Sequence, residues 1–293
     1  MRITNQMLTN GLLYNLRHNT EKLHKVQGQI ASGKRFSRPS DDPAAVSQVL
    51  DISTEAAQNE QYLRNLEGAA AWLGTTEAAL SDLTEVIQRV RELALQCSND
   101  TLAAEERAAA AKEVGELLEH AVQVANTQHV GQYVFAGFQT TTAPFTLSGG
   151  PPPDTVAFNG DSGDIQRSVG PGLTITVNSK AGAELQALCS TLIKLRDDLT
   201  AGDSPGARLS ELDSSLDALL KLSTEVGARM NRVELTTSRL EDTKLNLIEL
   251  RSQTEDIEMD EAAVELMAQQ NVYQAALAAG ARVIQPSLLD HLR

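Results

Sequence analysis

Aromatic residues are scarce in this chain: Phe, Trp and Tyr together make up 3% of its 293 residues. A core without them must be built from Leu, Val, Ile and Ala, which suits helix packed on helix better than a sandwich or barrel. Only two cysteines occur, Cys97 and Cys189, with no CxxC spacing, so neither a disulfide scaffold nor a zinc site is expected. Each sits at helical spacing among Leu and Ala and reads as a small buried thiol. Positive charge is also in short supply, with 25 Lys and Arg against 39 Asp and Glu and a net charge of −14. That argues against nucleic acid as a partner, which needs a basic stripe, and against an anionic membrane surface. No run of about 18 apolar residues is present, so no membrane span is expected. The start, Met1-Arg2-Ile3-Thr4-Asn5-Gln6, lacks the apolar run of a secretory signal, which taken alone reads as cytoplasmic.

Catalytic patterns are missing as well. The five histidines (His18, His24, His120, His129, His291) show no HExxH or other metal spacing and default to solvated surface. There is no GxSxG, phosphate-loop or dinucleotide fingerprint. Asp41-Asp42 could be a carboxylate pair for acid–base work, but helix capping explains it more cheaply. The segment Asn159-Gly160-Asp161-Ser162-Gly163-Asp164 fails as a calcium loop, because its sixth position is Asp164 rather than Gly and its twelfth is Gly170 rather than Glu. The expectation is a chain with no catalytic residue, no metal and no cofactor.

What the chain has in abundance is helical periodicity. From Asp42, a candidate N-cap followed by Pro43 at the first helical position, apolar residues fall at Ile52, Ala56, Leu63, Leu66, Ala70 and Leu73. They continue at Leu80, Leu83, Ile87, Val90, Ala94 and Cys97, with one phase slip between Leu73 and Leu83. A second helix is predicted from about Leu102 to Asn126. After an interruption, Leu185, Leu188, Leu192, Leu195 and Leu199 mark another. The longest run is Leu209, Leu212, Leu216, Leu219, Ser223, Val226, Met230, Val233, Thr237 and Leu240, towards Leu247 and Leu250. A helix of that extent would be roughly 60 Å long, so an elongated molecule is expected.

The interruption has a different period. Turn signals cluster at Gly149-Gly150-Pro151-Pro152-Pro153, Asn159-Gly160 and Gly170-Pro171-Gly172. Between them Leu173, Ile175 and Val177 alternate with Thr174 and Thr176, a strand with one buried face. The predicted fold is mainly α: an elongated helical bundle or coiled coil made by the N- and C-terminal halves, with a small β-rich inserted domain. The expected divisions are 1–40 with 255–293 for the terminal helices, 41–132 with 181–254 for the helical rod, and 133–180 for the insert.

Both ends carry narrow apolar stripes. At the start these are Ile3, Met7, Tyr14, Leu23, Val26 and Ile30; at the end, Leu266, Tyr273, Leu277, Gly280, Ile284 and Leu288, on a helix capped by Asp260. Isolated helices of this kind are marginal in water, so they must pair with each other or with a neighbouring subunit. These twelve positions are the candidate assembly interface. Gly280 reads as a close helix crossing rather than a hinge. Lys34, Arg35 and Arg38 read as a solvated loop, or else as a contact to acidic neighbours.

Two segments resemble the bacterial flagellin family. One is the helix ending in Ser32-Gly33, followed by the basic Lys34-Arg35 and then Asp41-Asp42-Pro43-Ala44. The other has the entry Ile257-Glu258-Met259-Asp260, the pair Gln269-Gln270 and the run Gln285-Pro286-Ser287-Leu288-Leu289. Gly131-Gln132-Tyr133-Val134-Phe135-Ala136-Gly137-Phe138, Ala143-Pro144-Phe145, Gly160-Asp161 and the Val226–Arg232 segment are similar to the hook–filament junction branch of that family. Pro151-Pro152-Pro153 is not part of the resemblance. The resemblance implies a non-enzymatic structural adaptor between hook and filament. It implies self-association, contacts to neighbouring hook-associated protein and flagellin subunits, and a flagellar export chaperone at the C-terminal helix. It further implies export in unfolded form through the flagellar type III channel, without a cleaved signal, to an extracellular flagellum. A flagellin-type filament subunit is the alternative within the family, and a cytoplasmic coiled-coil scaffold the alternative outside it.

Overall fold

The computed structural model describes residues 5–98, 104–150 and 153–284. Among them are six helices: α1 Asn5–Ser32, α2 Pro43–Cys97, α3 Ala104–Ala125, α4 Gly182–Ala201, α5 Gly206–Glu255 and α6 Met259–Ile284. Six short strands lie between α3 and α4 and form three separate antiparallel hairpins. The architecture is therefore helical regions from both halves of the chain with a small β insert between them. Two compact units are present, Met1–Gln58 with Lys244–Arg293 and Asn59–Thr243. The divisions expected at 40/41 and 254/255 fall close to the start of α2 and the end of α5.

The larger unit is held by one hydrophobic cluster drawn from α2, α3, α4, α5 and the insert. On α2, Leu66, Ala69, Leu73, Thr76, Leu80, Leu83, Ile87, Val90, Ala94 and Cys97 are all buried, in steps of three and four without a break. The expected slip after Leu73 does not occur, because Thr76 fills that slot and donates its hydroxyl to the carbonyl of Trp72 (2.9 Å). The irregular step lies earlier, where Ala69 rather than the exposed Ala70 follows Leu66. A polar seam position survives burial when its own turn satisfies it. Asn59 obeys a related rule, donating its amide to the carbonyl of Leu240 on α5 (2.9 Å).

The facing stripe on α5 follows the predicted spacing, with Leu212, Leu219, Val226, Val233 and Leu240 buried and Leu209, Leu216 and Met230 packed against them, but Leu222 is buried beside the expected Ser223 and Leu250 is exposed. Each buried Leu or Ile stabilises by about 1.5–3 kcal/mol, so the apolar seam dominates. Ion pairs such as Arg91–Asp213 (2.7 Å) and Arg89–Glu113 (2.7 Å) are exposed and add little. Helix α4 ends at Gly202, whose positive φ of 84° lets its N–H reach back to the carbonyl of Asp198.

The insert begins with β1 (Gln128–His129) and β2 (Gln132–Tyr133), ahead of the expected Tyr133, and continues with β3 (Phe145–Ser148) paired to β4 (Thr155–Phe158). It closes with β5 (Gln166–Gly170) paired to β6 (Leu173–Thr176). Ile175 and Val177 are buried and Thr174 is exposed, as the alternation predicts. A hairpin alone is marginal, and these are tied to the helices. The Asn126 side chain at the end of α3 both donates to Phe145 O (2.8 Å) and accepts from Phe145 N–H (3.0 Å). Buried Asn178 accepts from Ile165 N–H and donates to Gly163 O, while its own carbonyl takes a hydrogen bond from Arg229 on α5 (2.5 Å). Asp161, in the segment that fails as a calcium loop, accepts the backbone N–H groups of Phe138 and Gly163, each at 2.8 Å.

Candidate assembly interface

The smaller unit carries the two terminal helices, α1 and α6, packed against each other. They run antiparallel. At one end Lys34 and Asp256 form an antiparallel bridge, with Arg35 N–H donating to Glu255 O (2.7 Å) and Ile257 N–H to Gly33 O (3.0 Å). At the other end Gly280 sits against Leu12. Lys34 also pairs with Glu255. The stretch 33–35 thus links the last turn of α5 to the entry of α6, and Gly33 supplies the left-handed backbone (φ 70°) that turns the chain out of α1.

Between α1 and α2 the two adjacent aspartates divide the work. Asp42 accepts Ala45 N–H (3.1 Å), and its carbonyl accepts Val46 N–H (3.0 Å), which makes it the N-cap of α2. Asp41 instead folds the loop: Lys25 pairs with one oxygen (3.2 Å), and the N–H groups of Ser37 and Arg38 approach the other. The Lys25 ammonium, helped by those backbone donors against a partial opposing effect of burial, holds the Asp41 carboxyl below its usual range. Neither carboxylate is poised for acid–base work on the other. The loop is basic but internally engaged: Lys34 holds Glu255, Arg35 reaches Asp42 (3.4 Å) and its guanidinium lies over the Phe36 ring (5.8 Å).

The predicted positions separate into two groups. Val26 and Gly280 are buried, and Leu23, Ile30, Leu266 and Tyr273 are half-buried on the inward faces of α1 and α6. Met7, Tyr14 and Leu277 are exposed instead, by 67%, 72% and 45%. Ile3 and Leu288 lie outside the described residues, and Ile284 is placed in α6 without a described side chain. The cap assignment at Asp260 is corrected: α6 begins at Met259, Glu258 O accepts the N–H of Ala262 (3.0 Å), and Glu258 is the cap residue. Asp260 and Glu261 lie in the first turn, where their charge favours the positive end of the helix dipole.

Sequence reasoning missed Leu12, Phe36 and Ala262, of which the last two are buried. Leu12 and Ala262 share a face with the predicted stripes and were recoverable from spacing. Phe36 lies in a basic loop, where no periodicity marks it.

Comparison with known proteins adds four observations. The N-terminal helical region of bacterial flagellin matches residues 3–140, and its C-terminal helical region matches residues 209–292. Flagellar hook-associated protein 3 of Escherichia coli strain K12 is 28% identical over 300 aligned residues, spanning 94% of this chain and 95% of that protein. Among solved structures, Bacillus cereus FlgL superposes with a TM-score of 0.61 at 25% identity, over 69% of this chain and 99% of that one. A flagellar hook-associated structure from Vibrio parahaemolyticus gives 0.68 at 22% identity, over 74% and 100%.

Proposed function

The chain belongs to the bacterial flagellin family, and from that premise we propose that it is the adaptor subunit that joins hook to filament. The observation that carries this reading is the end-to-end similarity to hook-associated protein 3, which includes both terminal helices and the insert between them. It is a structural subunit of the bacterial flagellum. Its mechanism is geometric: the paired ends α1 and α6 form a layer with neighbouring subunits. The chain acts without catalysis. It contacts hook-associated protein on one side and flagellin on the other.

Export follows the same logic. The chain leaves the cell unfolded through the flagellar type III channel, uncleaved, with a chaperone covering its C-terminal helix until then. Support comes from exposed apolar side chains on α6, among them Val264 and Met267, which a lone subunit leaves in water. A strain lacking the gene tests the reading: it is expected to keep its hooks, bear no filaments and release filament subunits into the medium. Normal filaments on such cells would overturn it. The filament-subunit reading is less favoured, since two hook-associated proteins are 28% identical to this chain, against 22–24% for three flagellins that cover 90–95% of it.

A further inference from the structure

An asparagine followed by glycine can change chemically without an enzyme. With no side chain on the second residue, its backbone nitrogen is free to reach Cγ of the asparagine. Two such pairs occur, Asn10-Gly11 and Asn159-Gly160, and the structure separates them. Asn10-Gly11 lies inside α1, where helical backbone angles and the i→i−4 bond of the Gly11 N–H withhold the attacking nitrogen. Asn159-Gly160 follows β4, at the start of the irregular stretch 159–165. Asn159 is exposed, and a single neutral hydrogen bond, donated to the Thr146 hydroxyl (3.1 Å), holds its amide. The Gly160 N–H donates to no described residue. The N–H groups on either side of it do, Asn159 to Pro144 O (2.8 Å) and Asp161 to Ala136 O (3.2 Å). The other asparagines that tie the insert differ on each count. Asn126 and Asn178 are bonded at both ends of the amide, and Thr127 and Ser179 follow them. Packing also requires glycine at 160. A Cβ there would stand 2.6 Å from Cζ of Phe158 and 3.1 Å from Cα of Ala136, and the Phe158 ring is itself packed against Gly182 and Phe145. A side chain at 160, which would slow the reaction, is therefore excluded by the same contacts that seat the hairpin.

We propose that Asn159 is a modification site, where the folded chain deamidates itself with water as the co-reactant. The Gly160 nitrogen bonds to Cγ of Asn159 and gives up its proton, the Cγ–Nδ2 bond breaks, and ammonia departs to leave a cyclic succinimide. Water then opens the ring. Opening at Cγ gives aspartate. Opening at the main-chain carbonyl gives isoaspartate, whose peptide link runs through Cγ. One water enters and one ammonia leaves overall, with nothing oxidised or reduced. Either product adds a negative charge to the insert. Isoaspartate also lengthens the main chain by one carbon between two bonded N–H groups. The bonds to Pro144 O and Ala136 O cannot then both be kept, so the end of β4 works loose from the turn at Ala136. The insert thereby carries a one-way chemical record of the time since it folded.

Peptide mass spectrometry on the full chain, aged in mildly alkaline buffer, tests it site by site. The peptide carrying Asn159 is expected to gain about 1 Da and to split into two chromatographic forms, aspartyl and isoaspartyl. The peptides carrying Asn126 and Asn178 are expected to keep their mass over the same period. Asn159→Gln is expected to abolish the change, because glutamine must close a larger ring. Hydrogen exchange reads the consequence: the Asp161 amide is expected to lose protection in the aged chain and to keep it in the Asn159→Gln chain aged alongside. The same chain held in urea supplies the clock, since there the pair reacts without the fold. An Asn159 peptide still at its original mass in the folded chain, once the urea sample has converted, would overturn the proposal. Equal conversion at Asn126 or Asn178 in the folded chain would overturn it as well.

Discussion

A Cβ atom built on Gly280 would stand 2.9 Å from Cδ2 of Leu12, closer than carbon atoms approach. This crossing sets how tightly α1 and α6 pack, and the obstructing atom is the movable tip of a side chain. Gly280→Ala is therefore expected to be nearly neutral, since the displaced methyl is offset by about 1 kcal/mol of helix propensity. Gly280→Leu must part the helices, at a cost of about 1–3 kcal/mol. Hydrogen exchange across α1 checks it: protection retained in the alanine variant and lost in the leucine variant.

Val130 is the one non-glycine residue with positive φ among the described residues, at 49°, and it is followed by Gly131 at 75°. Two positive φ values in a two-residue loop make a type I′ turn, whose preferred pair is Asn-Gly. A β-branched residue is strained there, and Val130, 87% exposed, recovers nothing by burial. Val130→Asn is expected to stabilise by about 1 kcal/mol, raising Tm by about 2–4 °C in a thermal melt.

Asn178 is 1% exposed and closes the insert through both ends of its amide. Asn178→Ala strands the N–H of Ile165 and the carbonyl of Gly163, at about 1–3 kcal/mol for each buried group left unpaired. Urea unfolding monitored by the single Trp72, which packs edge-on against His129 of the first hairpin (5.8 Å), is expected to show a lower midpoint.

The loop after α1 should respond to acid in a set direction. Because Asp41 has a folded pKa below the usual 3.8, its contribution is fully present above about pH 4 and is lost as pH falls through the lowered value. The amides of Ser37 and Arg38 are expected to keep protection at pH 6 and lose it on acidification. Asp41→Asn should lose it at both pH values. Unchanged protection in that variant would show that the loop is held by other contacts.

The helices were legible because burial on one face repeats along them: the α5 seam from Leu209 to Leu240 reads directly as spacing. Asp42 was legible as a cap because Pro43 follows it. Polar seam residues were not, since Thr76 is buried only by virtue of a bond to its own preceding turn, and spacing counts it as a gap. The stripes at the ends were legible as apolar but not as to partner. Periodicity identifies a face that must be covered, and it took the α1–α6 pairing to show that Val26 and Gly280 are covered within the chain while Met7 and Tyr14 are not. Spacing reads the cap at Asp260, two residues past Glu258, because a carboxylate favours both the cap and the first turn.

Addition of the purified chain to isolated hooks, followed by electron microscopy, tests the central claim most directly. The account predicts density confined to the distal ends of hooks, without elongation, and growth of filaments only once flagellin is supplied. Long filaments formed by this chain alone, or hook ends left bare at saturating protein, would contradict it.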